Sequence, residues 1–126
     1  AAQVEGIIAD VGSPAFKATI DTGNFLLVDE EPVDAVKVLA SHAGHVHFKD
    51  FRPGKEGESP SYPALSGKRF VGTIIGEGVV DPKEVLRILK DAGYDGWLSV
   101  EFEGLEEEKH GATSSIKNLA AALAAL

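Results

Sequence analysis

No cysteine occurs among the 126 residues. A disulfide framework and a thiolate metal centre are thereby excluded, and a reducing, cytoplasmic location is the expected one. Methionine is absent too, so the chain does not open on its own start codon: either residues were removed or it is a piece of something longer. No run approaches the ~20 apolar residues of a membrane span. The alanine-rich "LAAALAAL" at 119–126 is too short and lies at the wrong end for a signal peptide. Positive charge is scarce: 12 Lys plus Arg stand against 20 Asp plus Glu, a net charge of −8. Binding to a nucleic-acid backbone needs clustered positive charge, so nucleic-acid and membrane partners are not expected.

What is present is ordinary in amount and regular in order. With 44% hydrophobic and 25% charged residues the chain falls among soluble globular proteins, and its length suits one domain. Three strand-like runs each give way to a helix. The strands are 16–21 ("FKATID"), 45–50 ("HVHFKD") and 97–103 ("WLSVEFE"). The first helix follows Pro32, carries Val33, Val36, Leu39 and Ala40 on one stripe, and is expected to stop at Gly44. The second has Asp81 as its N-cap, Pro82 at the first helical position and Val85, Leu86 and Leu89 as its apolar stripe. A last helix is expected near 113–125, and the opening residues read as the tail of an earlier one. Residues 52–70, rich in Gly, Pro and Ser, are expected to form a long loop.

One helix per crossover makes the strands parallel neighbours. In a doubly wound sheet both strand faces are apolar; here only one is. Ile20, Val46, Phe48, Leu98 and Val100 form the apolar face, while Asp21, His45, His47, Lys49, Ser99, Glu101 and Glu103 form a polar one. A (β/α)8 TIM barrel accounts for this, because its inward residues near the C-terminal strand ends line a site. The fold class is therefore α/β: the C-terminal segment of a TIM barrel, three parallel strands alternating with helices, one partial domain over 1–126 without its N-terminal strands. Open strand edges invite pairing, so a homo-oligomer, most simply a two-fold dimer, is expected. Alternatively, the 52–70 loop covers the open face with Tyr62 and Leu65 as a plug.

Asp21, His47 and Glu101 each sit near the C-terminal end of a strand on the polar face. Taken singly, each has an ordinary explanation as a turn, packing or solvated residue. Together, two carboxylates and an imidazole suit a divalent metal such as Mn2+, Mg2+, Co2+ or Zn2+.

The ordered set "IDTGN", "HVHFKD" and "IIGEGVVDPKEVLRILKDAGYDGWLSVEFEG" resembles the C-terminal part of the sugar phosphate isomerase/epimerase superfamily, the xylose isomerase-like TIM barrels. The resemblance runs from Phe16 to Gly104. It implies a metal held by Glu, Asp, His and Glu from four successive strands, of which the last three match Asp21, His47 and Glu101. It also implies isomerisation or epimerisation of a sugar or small hydroxy-carbonyl compound through an enediolate, with Glu101 as a catalytic acid and base. Asn24, His45, Lys49, Asp50 and Arg52 are the candidate substrate contacts, with His45 one layer below His47. A non-catalytic fragment, or a half-barrel module that self-associates, is the alternative of a different class.

The departures from that family are specific. The family's first metal Glu belongs to a strand before those present. Asn24 stands where many members have histidine, and Arg52 falls one residue short of a substrate-holding arginine. Related apurinic endonucleases carry Asp and His ligands where this chain has residues 70–74, so a trinuclear zinc site is not expected. "GEG" at 76–78 reads as a turn, with Glu77 a lesser candidate for substrate contact. Trp97 is expected to fill the barrel interior, and His110 to lie at the surface.

Overall fold

A computed structural model describes all 126 residues. Four helices and six strands follow in the order α1 (Ala2–Val11), β1 (Ala18–Asp21), α2 (Pro32–Leu39), β2 (Ala43–Phe48), β3 (Asp50–Pro53), β4 (Tyr62–Pro63), β5 (Arg69–Thr73), α3 (Pro82–Asp91), β6 (Leu98–Val100) and α4 (Glu108–Ala124). Short 3₁₀ turns occupy Asn24–Val28 and Ala40–His42.

β1, β2 and β6 form a parallel sheet in that order. Ile20 lies beside Val46 and Val46 beside Leu98; one residue on, Asp21, His47 and Ser99 form a row. The sheet alternates with helices as a segment of a TIM barrel does. The Ile20, Val46 and Phe48 side is covered by α2, α3 and α4, which bring Val36, Leu39, Val85, Leu86, Leu89 and Leu119 into one core. Full burial of a Leu, Val or Phe side chain stabilises by roughly 1.5–3 kcal/mol, so this face is the main source of the sheet's stability. In α3 the Asp81 carboxylate accepts the Lys83 and Glu84 N–H groups, and Pro82 opens the first turn.

The strands are shorter than the sequence pattern predicts. β1 begins at Ala18, and β6 has three residues, although the Glu101 N–H still donates to the Phe48 carbonyl at 3.0 Å. Pairing along 45–50 stops at Phe48. The chain breaks at Lys49 and turns into β3, which belongs to a second, antiparallel sheet ordered β3-β5-β4. The stretch 52–70 is therefore not a structureless loop: Arg52 pairs with Val71 and Tyr62 with Phe70. A small core of Phe51, Ala64 and Phe70 supports this sheet. Tyr62 packs on Phe51 at 5.4 Å between ring centroids, but Leu65 is 80% exposed and plugs nothing.

Three further boundaries move. α2 gives way to the 3₁₀ turn after Leu39, so Gly44 does not stop it; Gly44 lies inside β2. A Cβ at Gly44 would come within 2.9 Å of Lys17 Cβ, and that close approach is the reason for glycine there. α4 starts at Glu108, five residues early, because the Glu107 carboxylate accepts the N–H groups of Lys109 and His110. Trp97, expected inside, is 82% exposed, since three strands do not close around it.

Candidate metal centre

The parallel register brings Asp21 and His47 level at neighbouring strand ends, and Glu101 follows two residues beyond Ser99 in the same row. One donor atom from each of Asp21, His47 and Glu101 lies within 4.8 Å of the others. His47 Nδ1 is 3.5 Å from Glu101 Oε2. Asp21 is oriented from below: Oδ1 accepts the N–H groups of Gly23 and Asn24 at 3.1 and 3.0 Å, and Oδ2 accepts Asn24 Nδ2 at 2.8 Å. This turn follows from the sequence "DTGN", since an Asp side chain readily caps its own following turn.

Lys49 sits among these groups. Its Nζ is 2.9 Å from Glu101 Oε2, 3.1 Å from Glu103 Oε2 and 3.4 Å from Asp21 Oδ2. Thr22 fixes its backbone: the hydroxyl donates to the Lys49 carbonyl at 2.7 Å and accepts the Lys49 N–H at 3.0 Å. Burial works against the ammonium, but the carboxylates of Glu101, Asp21 and Glu103 outweigh it and push its pKa up. The hydrogen bond from Lys49 holds Glu101 below the usual carboxylate range against partial burial. Asp21 moves the other way, because burial outweighs the Asn24 amide and the Lys49 charge. Glu101 is thus the more acidic of the two carboxylates and Asp21 the less acidic.

The other sequence candidates are dispersed. His45 lies one layer deeper, edge-on to His47 with ring centroids 5.2 Å apart, and its Nε2 meets Ser99 Oγ at 2.9 Å. Asn24 touches both Asp21 and, at 3.5 Å, Lys49. Arg52 is taken up by Glu58, with Nη1 and Nη2 at 2.9 and 2.8 Å from its two carboxylate oxygens. Asp50 is buried away from the cluster. Its carboxylate accepts the N–H groups of Gly76 and Gly78 at 2.9 Å and of Val80 at 3.0 Å, so it holds the turn before α3. Glu77 is an exposed residue of that turn, and His110 is exposed on α4.

Two residues outside the sequence candidates join the site. Glu103 contacts Lys49, and Tyr62 stands near Glu103; burial first, then that carboxylate, push the Tyr62 phenol upward. The signal for Glu103 was its parity with Glu101. Tyr62, one of the two residues expected to plug the open face, arrives from the second sheet and reaches this cluster, whereas Leu65 does not.

Residues 1–122 match the family described as the xylose isomerase-like TIM barrel. Inosose dehydratase of Bacillus thuringiensis (strain Al Hakam) is 33% identical over 107 residues, which covers 81% of this chain and 35% of that protein. Inosose dehydratase of Lacticaseibacillus casei is 29% identical over 105 residues, with the same coverage. The chain thus spans 35% of the length of these curated relatives. Among solved structures, the xylose isomerase domain protein from Planctomyces limnophilus superposes with a TM-score of 0.72 at 24% identity, over 94% of this chain and 39% of its own. The IOLI protein, solved with a bound zinc atom, also gives 0.72, at 17% identity over 99% of this chain and 44% of its own. These two likenesses are of fold. With a parallel sheet alternating with helices and a family match over nearly its whole length, the chain belongs to the xylose isomerase-like TIM barrel family.

Proposed function

We propose that this chain carries part of the active site of a divalent-metal-dependent enzyme that isomerises, epimerises or dehydrates a sugar or related polyol. The observation that carries the reading is the convergence of Asp21, His47 and Glu101 within 4.8 Å. Two carboxylates and one imidazole form a mixed oxygen and nitrogen set that fits Mn2+, Co2+ or Zn2+, and Mg2+ less well. The position already attracts positive charge, since the Lys49 ammonium rests between Asp21 and Glu101. The inosose dehydratase relatives and the zinc of the IOLI protein support the same reading.

When bound, the cation supplies Lewis acidity toward adjacent carbonyl and hydroxyl oxygens. Glu101 would take the proton from the carbon next to the carbonyl, and the substrate's electrons would shift into an enediolate. Delivery of a proton to the opposite face of the same carbon by a second acid outside this chain would epimerise; return of the Glu101 proton to the neighbouring carbon would isomerise; its transfer to a departing β-hydroxyl, lost as water, would dehydrate. Asp21 stays oriented by its Gly23 and Asn24 amides throughout. Lys49 and Glu103 offer a donor and an acceptor to substrate hydroxyls.

Titration of Mn2+ by calorimetry, with assays of aldose–ketose conversion and of inosose dehydration, tests this reading. One ion is expected to bind the parent chain, and Asp21→Ala is expected to abolish binding with an unchanged circular dichroism spectrum. Equal Mn2+ affinity in both proteins refutes the assignment.

A second reading rests on a different observation. Trp97 is exposed at the start of β6, and Ile116 and Leu123 are exposed on α4 beside the half-buried Leu98 and Val100. This apolar strip favours self-association through the free β6 edge. Sedimentation across concentration tests it; a monomer at high micromolar concentration excludes it.

A further inference from the structure

Lys49 is the most enclosed ionisable side chain of the polar face, with 5% of its side-chain surface exposed. Thr22 pins its backbone on one side. Its stem runs over Gly23, where a Cβ would come within 2.9 Å of Lys49 Cγ, and its ammonium lies 5.9 Å from the centre of the Phe51 ring. The ammonium therefore has no ready path into water. It can only redistribute among Asp21, Glu101, Glu103 and Asn24.

Those partners divide into two sets. Asp21 Oδ2 and Glu101 Oε2 belong to the residues that converge with His47. Both oxygens are already occupied: Oδ2 by Asn24 Nδ2 and Lys49, Oε2 by Lys49 with His47 Nδ1 nearby. Glu103 Oε2 and Asn24 Oδ1, at 3.1 and 3.5 Å, lie outside that group. Three carboxylates surround one ammonium, so two negative charges remain unbalanced.

We infer that Lys49 and a divalent cation compete for Asp21 and Glu101, and that Glu103 is the partner onto which the ammonium withdraws when the cation binds. The inference rests on the metal-site reading above. In the metal-free protein Lys49 keeps the carboxylates converged despite their mutual repulsion. Displaced onto Glu103, it remains beside the site as a donor for a substrate oxygen. Glu103 is thus a positioning residue whose effect on the metal acts through Lys49.

Calorimetric Mn2+ titrations of the parent, Lys49→Met, Glu103→Gln and the double variant test this. Methionine retains the apolar stem. Removing a positive charge a few ångströms from the ion is expected to tighten Mn2+ binding about tenfold or more, while lowering the melting temperature of the metal-free chain. Glu103→Gln is expected to weaken binding more with Lys49 present than in the Lys49→Met background, because only a lysine that changes partner produces that coupling. Equal or weaker binding by Lys49→Met, or an identical Glu103→Gln cost in both backgrounds, overturns the inference. Should Lys49→Met fail to fold, the Lys49 ammonium resonance of the parent is followed during Zn2+ titration; a saturable shift supports the exchange and an unmoved signal overturns it. If Asp21→Ala abolishes Mn2+ binding but Lys49→Met leaves it unchanged, only the competition fails. If neither the parent nor Lys49→Met binds Mn2+, the metal reading falls as well.

Discussion

Asp50→Asn separates an anchoring role for this carboxylate from a substrate-binding one. Asp50 Oδ2 accepts the Gly76 and Gly78 N–H groups, and Oδ1 accepts that of Val80. An amide offers one acceptor oxygen. Turned toward Gly76 and Gly78, it sets its NH2 against the Val80 N–H, donor facing donor at a buried residue. Leaving one buried N–H unsatisfied costs roughly 1–3 kcal/mol, and changing two charge-assisted bonds to neutral ones costs about 1 kcal/mol each. Relief of the buried charge offsets part of this, since burial is what pushes the Asp50 pKa up, against the pull of the surrounding backbone amides. The net loss should be about 2–3 kcal/mol, with a melting temperature lower by roughly 10 °C at this chain length. Urea unfolding followed by circular dichroism at neutral pH measures it as a lower midpoint at unchanged slope. Mn2+ affinity should stay the same, because the carboxylate faces the turn and not the cluster. A Gly78→Ala chain should also lose stability, since the added Cβ would clash with the Phe51 carbonyl oxygen and Asp50 Oδ1. Stability within roughly 0.5 kcal/mol of the parent, the range of a neutral surface change, with weakened ligand binding would refute the anchoring role.

Further outcomes follow from the same geometry. Thr22→Val keeps the shape but leaves the Lys49 N–H and carbonyl without the Thr22 hydroxyl, and should cost about 2 kcal/mol in urea unfolding, with Thr22→Ser recovering most of it. Glu58 is held at a pKa of about 2, chiefly by the Arg52 hydrogen bonds and then by the Lys55 N–H. A depressed carboxylate contributes stability that is intact above its unfolded pKa near 4.5 and is lost as pH falls toward about 2. In Arg52→Gln, carbon-detected NMR titration should find Glu58 moved up toward 4.5; an unmoved value would show that the pair does not form in solution.

Much of the parallel sheet was legible because its signal is a period of two repeated three times. Ile20, Val46 and Phe48 are fully buried on one side, and Asp21 and His47 are level on the other. The second sheet was not legible. Its members are four, two and five residues long, and the stretch around Tyr62 and Pro63 has the Gly, Pro and Ser content of a loop. β4 exists because β5 pairs with it and because the Arg69 side chain holds Ser61. Neither partner is implied by local propensity. The early start of α4 falls within "GLEEEKHG", which reads as a solvated loop and helix entry but does not fix the residue at which the helix begins. Gly111 there is not a breaker: the Phe102 ring occupies the space a Cβ would need, so tertiary packing overrides the propensity cost.

The limit of sequence reading at the site lies between two adjacent residues. Lys49 and Asp50 look alike as a charged pair at a strand end, yet they have opposite fates. The parity of β2 already separates them: Lys49 continues the His45 and His47 face, and Asp50 the Val46 and Phe48 face. A carboxylate on the apolar parity must find buried donors, and "IIGEGVV" supplies three consecutive-turn amides that carry no competing side chain at Gly76 and Gly78. Asp50 could therefore have been assigned to structure. Lys49 could not, because its parity permits either solvent or a partner. What settles it is the enclosure produced by Gly23, Phe51 and Thr22, which come from two other segments. An ammonium enclosed in this way stays charged only among anions, and the three within reach, Asp21, Glu101 and Glu103, include two of the groups that a metal would need.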